Sequence, residues 1–261
     1  IIAIEPYLDL TAPTEIDVTG KLVSPPFVES HIHLDSALTA GQPRHNQSGT
    51  LFEGIEIWRD RKRTLTLDDI KQRAIEALKL MASQGTLFVR SHVDVSEPSL
   101  TALEGLLEVR EAVKDWITLQ IVAFPQDGIY GLALEGNPQN NELIEEAIIL
   151  GADAVGGIPH YELTRDDGLR SIYRIFELAE KYNRLIDIHC DEIDDDQSRF
   201  LEVVSAHALR TGLKEKVTAS HTTAFGSYNN SYALKLLSFL KQSDINFIAN
   251  PLINITLQGR T

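Results

Sequence analysis

Two histidines separated by one residue, His31-Ile32-His33, close an apolar run that begins at Phe27 and Val28 and leads into Leu34 and Asp35. In an extended strand side chains alternate faces, so residues two apart point the same way and two imidazoles can reach one cation. Four later strand-like segments also finish at histidine: Val89-Arg90-Ser91-His92, Gly157-Ile158-Pro159-His160, Ile186-Asp187-Ile188-His189 and Thr218-Ala219-Ser220-His221. Among them, His31, His33 and His189 make a set suited to chemistry. Three neutral imidazoles on facing strand ends hold a divalent cation and leave positions open for water, as metal-assisted hydrolysis requires. Bound Zn2+ lowers the pKa of its water to about 7, which answers the need for a nucleophile at neutral pH.

Glu192 follows His189 by three residues, where the strand gives way to a loop, and from there a carboxyl group can lean over a metal and shuttle protons. It also sits in an acidic run with Asp191, Asp194, Asp195 and Asp196, which alone would read as a solvated loop. His221 is a candidate for a donor that holds or polarises hydroxide on a metal. His92 and His160 weigh nearer to structural residues, and His45 and His207 have no strand-end context. Gln126, in Phe124-Pro125-Gln126-Asp127-Gly128, presents one acceptor and two donors in a plane, suited to the edge of a pyrimidine or amide-like substrate. Binuclear sites on such scaffolds commonly bridge their metals with a lysine from the fourth strand. That strand, Ala154-Val155-Gly156-Gly157-Ile158-Pro159-His160, holds none, which points to one metal.

The elements that must carry these side chains alternate in type. Apolar strand-like runs fall at 27–33, 86–93, 117–124, 154–159, 185–189, 217–221 and 245–250, and amphipathic helical stretches at 67–84, 99–113, 141–150, 169–182, 197–211 and 232–242. Helix-start signals, Thr66 before Asp68 and Asp69 or Ser99 after Pro98, mark several of them. Such alternation implies a parallel sheet with helical crossovers. Without a doubly wound glycine fingerprint it favours a (β/α)8 TIM-type barrel, although the strand count is one short of eight. Polar groups gathered at the carboxyl ends of successive strands are how such a barrel builds an active site. The stretch 34–66 is long for a connection and reads as a functional lid, with Phe52, Ile55, Ile57 and Trp58 forming a short helix packed over the site. Residues 1–26, with the alternation Glu15-Ile16-Asp17-Val18-Thr19-Gly20-Lys21-Leu22-Val23, read as a small β appendage built on a hairpin.

Composition narrows the function. A net charge of −14 argues against a phosphate-backbone partner, because binding DNA or RNA relies on Lys and Arg displacing counterions. No apolar run approaches the roughly 20 residues that span a bilayer, and the first residues carry no basic segment followed by an apolar one. The expectation is a cytoplasmic protein with no membrane partner. One cysteine, Cys190, excludes an internal disulfide and any metal site needing two thiolates of this chain.

Taken together, these residues resemble the amidohydrolase superfamily and, within it, the cytosine deaminases. The resemblance rests on Pro25-Pro26-Phe27-Val28-Glu29-Ser30-His31-Ile32-His33-Leu34-Asp35, Asn46-Gln47-Ser48-Gly49-Thr50-Leu51-Phe52-Glu53-Gly54, Ile121-Val122-Ala123-Phe124-Pro125-Gln126, His189-Cys190-Asp191-Glu192, Thr218-Ala219-Ser220-His221 and Asn250-Pro251-Leu252. The histidine pair alone is generic, and the other segments are more specific. The resemblance implies one Fe2+ or Zn2+ on His31, His33 and His189, Glu192 as proton shuttle, His221 steadying the metal-bound hydroxide and Gln126 gripping the pyrimidine edge. It implies hydrolytic deamination of cytosine, or an analogue such as isoguanine or a 5-substituted cytosine, giving uracil and ammonia from cytosine itself. The implied partners are a small-molecule nucleobase and further copies of the chain in a homo-oligomer. Alternatives on the same scaffold are an aminohydrolase for another cyclic amidine, of creatinine or triazine type, or a non-catalytic barrel fragment. The family's further ligand, an aspartate ending an eighth strand, has no counterpart before Thr261. The expectation is therefore a barrel over 27–261 truncated after its seventh strand, with the unpaired edge and apolar face of that strand exposed.

Overall fold

The computed structural model describes residues 3–131 and 140–258. Among them seven strands form one sheet: β1 (Phe27–Ile32), β2 (Thr86–Asp94), β3 (Thr118–Phe124), β4 (Ala154–Gly157), β5 (Leu185–Cys190), β6 (Val217–His221) and β7 (Asn246–Ile248). They lie in sequence order and every neighbouring pair is parallel. The helices are α1 (Leu51–Lys62), α2 (Leu67–Ser83), α3 (Thr101–Val113), α4 (Asn140–Leu150), α5 (Arg165–Tyr182), α6 (Phe200–Thr211), α7 (Asn230–Ser243) and α8 (Pro251–Leu257). Helices α2 to α7 are the crossovers that parallel neighbours require. The sheet curls into a nearly closed β/α barrel, in which His31 of β1 meets Ser220 and His221 of β6 across the interior.

Helix starts follow local chemistry. Thr50, Thr66, Thr164 and Asn229 each accept a hydrogen bond from the backbone N–H three residues on, satisfying a donor that the first turn leaves free. The start signal read at Ser99 is not used: α3 begins at Thr101 after Leu100, which has φ +49° and no side-chain cap. Two further starts differ from the sequence expectation for physical reasons. Helix α5 begins at Arg165 because Thr164 caps it, ahead of the apolar periodicity that begins at Leu169. Helix α6 begins only at Phe200, where the distant Asp191 carboxylate accepts the N–H groups of Phe200 and Leu201 at 3.1 and 2.9 Å.

Strands β4, β5 and β6 are buried almost throughout, as expected of a parallel sheet covered by helices. The sheet's edges differ: Phe27 and Val28 of β1 are 65% and 66% exposed and Phe247 of β7 is 47% exposed. Residues 3–26 contain the turn the sequence announced, with Lys21 N–H donating to Val18 O at 2.9 Å and Gly20 at φ +73°. No strand pairing accompanies the turn among the described residues. Residues 3–26 are exposed throughout, so the turn is not buried against the other described residues.

Gly156 lets β4 lie close to β3. A Cβ there would stand 2.9 Å from Ala123 O and 3.0 Å from Val122 Cγ1, both in the middle of the sheet. Gly156→Ala should lower stability by about 1–3 kcal/mol, read as a lower denaturant midpoint at unchanged m. Gly226→Ala, where nothing lies within 4 Å of the new Cβ, is the control. Equal midpoints for the two variants would contradict the packing argument.

Candidate active site

The carboxyl ends of the strands bring five imidazoles together. The His31 ring centroid lies 4.1 Å from that of His92, 4.6 Å from those of His189 and His221, and 5.5 Å from that of His33. Nε2 of His33 and Nε2 of His189 are 3.1 Å apart, and those of His31 and His221 are 3.2 Å apart. Two triples converge closely enough to share an ion, His31 with His33 and His92, and His31 with His189 and His221. The set read from the sequence, His31, His33 and His189, is divided between them.

Burial, and the neighbouring histidines after it, hold the imidazoles of His31, His33 and His189 well below the usual range. They are therefore neutral at pH 7 and present lone pairs rather than positive charge. Crowded neutral nitrogens with a common focus, and a buried His189 Nδ1 that has no hydrogen-bond partner, are a donor set that fits a divalent cation.

Beneath the imidazoles lies a carboxylate that sequence reasoning missed. Asp187, fully buried on β5, accepts from Arg90 at 2.7 Å and from Ser220 Oγ at 2.8 Å, and its Oδ1 lies 3.3 Å from His92 Nε2. Ser220 Oγ in turn lies 3.1 Å from His31 Nδ1. Burial alone would push the Asp187 carboxyl up, but His92 and Arg90 outweigh it and hold it below the usual carboxylate range. With Nδ1 of His31 engaged, Nε2 is the nitrogen turned to the cluster. The available signal was an acid inside an otherwise apolar strand, two residues before His189, because a buried charge needs partners.

At the end of β5 the chain turns sharply. Asp191 has φ +52°, and its carboxylate caps α6 while also accepting from Ser198 Oγ at 2.6 Å. Asp191 is thereby taken out of the acidic run, and Glu192 is carried into the site. Glu192 is only 3% exposed, and its Oε1 lies 3.3 Å from His221 Nδ1. Burial pushes its carboxyl up to about 8, so it carries a proton at neutral pH. His221 and Thr222 also adopt left-handed backbone, at φ +70° and +53°, a conformation costing roughly 1–3 kcal/mol per residue. The Thr222 N–H bond to Cys190 O at 2.9 Å holds that turn, and the Asn254 amide nitrogen, from α8, lies 3.0 Å from His221 Nδ1.

All six predicted site residues, His31, His33, Gln126, His189, Glu192 and His221, line one cavity of about 560 Å³. Leu51 of α1, Ile158 and Leu257 supply apolar wall. Helix α1 arises where the sequence indicated a short helix over the site; Ile55 clusters with Phe124, Ile158 and Tyr161. His92 is in the cluster but not in the cavity lining. Desolvation pushes His160 down to about 3, and His207 lies in α6 against Tyr173 and Phe176. The loop after Gln126 is held by Glu162, whose carboxylate accepts the N–H groups of Ile129, Tyr130 and Gly131 at 2.7 to 3.1 Å.

The chain matches the amidohydrolase family over residues 14–261. It is 52% identical to the 5-methylcytosine deaminase of Klebsiella pneumoniae, solved with 5-fluorocytosine, with a TM-score of 0.91 over 98% of this chain and 61% of that one. It is 31% identical to the N-isopropylammelide isopropyl amidohydrolase of Pseudomonas sp. (strain ADP), covering 95% of this chain and 61% of that protein. It is 30% identical to the pterin deaminase of Rhizobium rhizogenes (strain K84), covering 96% and 56%. The chain thus spans about six-tenths of the length of these relatives. No helix among the described residues is long and apolar enough to cross a membrane.

Two stability measurements check this geometry. Asp187→Asn leaves Arg90 without its buried counter-charge and should cost about 3 kcal/mol by denaturant unfolding, at the low end for buried pairs because Arg90 is partly exposed. A change below about 0.5 kcal/mol, typical of surface sites, would remove Asp187 from its structural role. Burial pushes the Glu162 carboxyl up from 4.5 to about 7. The fold then keeps a proton that the unfolded chain releases, so this contribution is fully present below pH 4.5 and fades as pH rises through 7. Glu162→Gln should flatten the pH dependence of the unfolding midpoint across that window, and an unchanged slope would contradict the assignment.

Proposed function

The chain belongs to the amidohydrolase family, and from that premise we propose that it is a metal-dependent aminohydrolase acting on cytosine or a 5-substituted cytosine. The observation that carries the proposal is convergence. A histidine cluster, a buried carboxyl that is protonated near neutral pH and a primary amide line the same cavity. The 52% identity to a 5-methylcytosine deaminase favours a cytosine over the triazine type, to which the likeness is 31%.

His31, His33 and His189 would hold the ion, since all three line the cavity whereas His92 does not and has its Nε2 3.3 Å from Asp187 Oδ1. Neutral imidazoles of this kind suit Fe2+ and Zn2+ alike. A divalent ion there supplies Lewis acidity, which makes water a better nucleophile at neutral pH. Glu192 Oε1, beside His221 Nδ1, performs the proton transfers. Protonated, it gives its proton to the ring nitrogen next to the reacting carbon. Ionised, it takes a proton from the attacking water and delivers it to the amino group, which leaves as ammonia; the proton still on the added oxygen then passes to Glu192 as the ring carbonyl forms, which returns the carboxyl to its protonated state. His221, oriented by Asn254, donates from Nε2 toward the reacting oxygen. Gln126 pairs its amide with the edge of the base, and Leu51 and Ile158 keep the ring's apolar face from water.

Metal analysis and ammonia release test the roles separately. His189→Ala should lose stoichiometric metal, whereas His207→Ala should retain it; equal contents would sink the site. Glu192→Gln should keep the metal and lose about 100-fold or more of ammonia release from cytosine and 5-methylcytosine. Undiminished turnover would remove Glu192 from the mechanism, and faster release from a triazine than from either cytosine would overturn the substrate class.

A further inference from the structure

Helix α1 belongs to the long segment between β1 and α2, yet buried charges fasten its last turn to the ends of β2 and β3. Lys62 Nζ donates to Asp94 Oδ2 at 3.1 Å and to Asp127 Oδ2 at 2.6 Å, and its side chain is 4% exposed. Arg59 donates from Nε and Nη2 to Asp127 Oδ1 at 3.3 and 3.1 Å. Trp58 Nε1 donates to Asp94 Oδ2 at 2.9 Å. Ser96 joins the two acids: its N–H donates to Asp94 Oδ1 at 2.8 Å and its Oγ accepts the Asp127 N–H at 3.0 Å. Two cations thus face two carboxylates in a largely buried site, with Lys62 and Asp94 each 4% exposed and Arg59 and Asp127 16% and 12% exposed. Such a network fixes one arrangement rather than adding much net stability.

Its position is informative. Asp127 is the residue after Gln126, and Leu51, at the other end of α1, is cavity wall. The same helix therefore bears on both the apolar wall and the loop that carries the amide. We propose that Arg59 and Lys62 are positioning residues for substrate recognition: by gripping Asp127 they hold Gln126 at the cavity and seat Leu51 in its wall, so that α1 and the β3 loop engage the substrate as one unit. The inference rests on the role given to Gln126 above. Glu162 secures the far end of the same loop at residues 129–131. Hydrogen bonding to a planar base tolerates only small displacements, so a loop fastened at both ends holds an amide where a free loop would not.

Hydrogen exchange on the purified chain tests the mechanical half, and steady-state ammonia release from cytosine and 5-methylcytosine tests the functional half. Lys62→Met should speed exchange about tenfold in both 51–62 and 126–131, while α6 is unchanged. Asp127→Asn, which leaves the Lys62–Asp94 pair intact, is the gentler variant should the first fail to fold. KM should rise about tenfold with kcat changed less than about threefold and metal retained, and Lys62→Arg should recover most of the loss. On a Gln126→Ala background Lys62→Met should add less than about twofold to KM, because the two act in series. Lys71→Met, at an exposed pair with Glu108, should alter none of these. Unchanged exchange at 126–131 overturns the coupling whatever the turnover. A KM effect that adds in full to Gln126→Ala overturns its action through the amide. A wild-type chain that releases no ammonia sinks the functional reading above and leaves the exchange result to decide the positioning.

Discussion

A carboxylate shut off from solvent must be surrounded by partners, and Asp187 meets that demand from two other strands at once. Arg90 and His92 approach from β2 and Ser220 from β6, all against a side chain of β5. Ser220 passes the constraint to His31 on β1. Removing any one partner would leave the charge undercompensated in a poorly solvating interior, so the group orders the barrel's polar interior as a set. The imidazoles above it inherit that order. His31 is engaged through Nδ1, His92 Nε2 lies 3.3 Å from Asp187 Oδ1, and Nε2 of His31 faces that of His221 as Nε2 of His33 faces that of His189.

The second constraint is the conformation of the strand ends. Asp191, His221 and Thr222 all take left-handed backbone where β5 and β6 finish. None is glycine, so each turn has to be held from outside. Asp191 is held because its carboxylate caps α6, and Thr222 because its N–H reaches back to Cys190 O. The cap that starts a helix therefore also rotates the following residue, Glu192, into the cavity, where loss of hydration keeps its carboxyl protonated. Local strain, helix nucleation and the proton-carrying group are linked through one residue.

Much of this was legible in the sequence, because a strand's period of two and the recurrence of histidine at strand ends are local signals. Those signals placed His31, His33, His189 and His221 at the end of one sheet, and the alternation of elements announced seven parallel strands. Glu192 was read from its distance to His189, although the turn at Asp191 that aims it was not visible. Asp187, Ser220 and Arg90 were missed because their importance comes from curvature, which brings β2, β5 and β6 side chains into the barrel interior. Lys62, Asp94 and Asp127 lie far apart in sequence, and no local pattern marks them as partners. Of the hairpin expected within 1–26, residues 3–26 show the turn at Gly20.

The proposed chemistry depends on neutral imidazoles holding a metal ion. X-ray absorption of the zinc-loaded chain measures this directly, since multiple scattering from imidazole rings counts the histidines bound. Three histidine nitrogens at about 2.0–2.1 Å would be the predicted coordination. A shell of oxygens with one histidine or none would contradict it, and the cluster would then be a buried polar core rather than a metal centre.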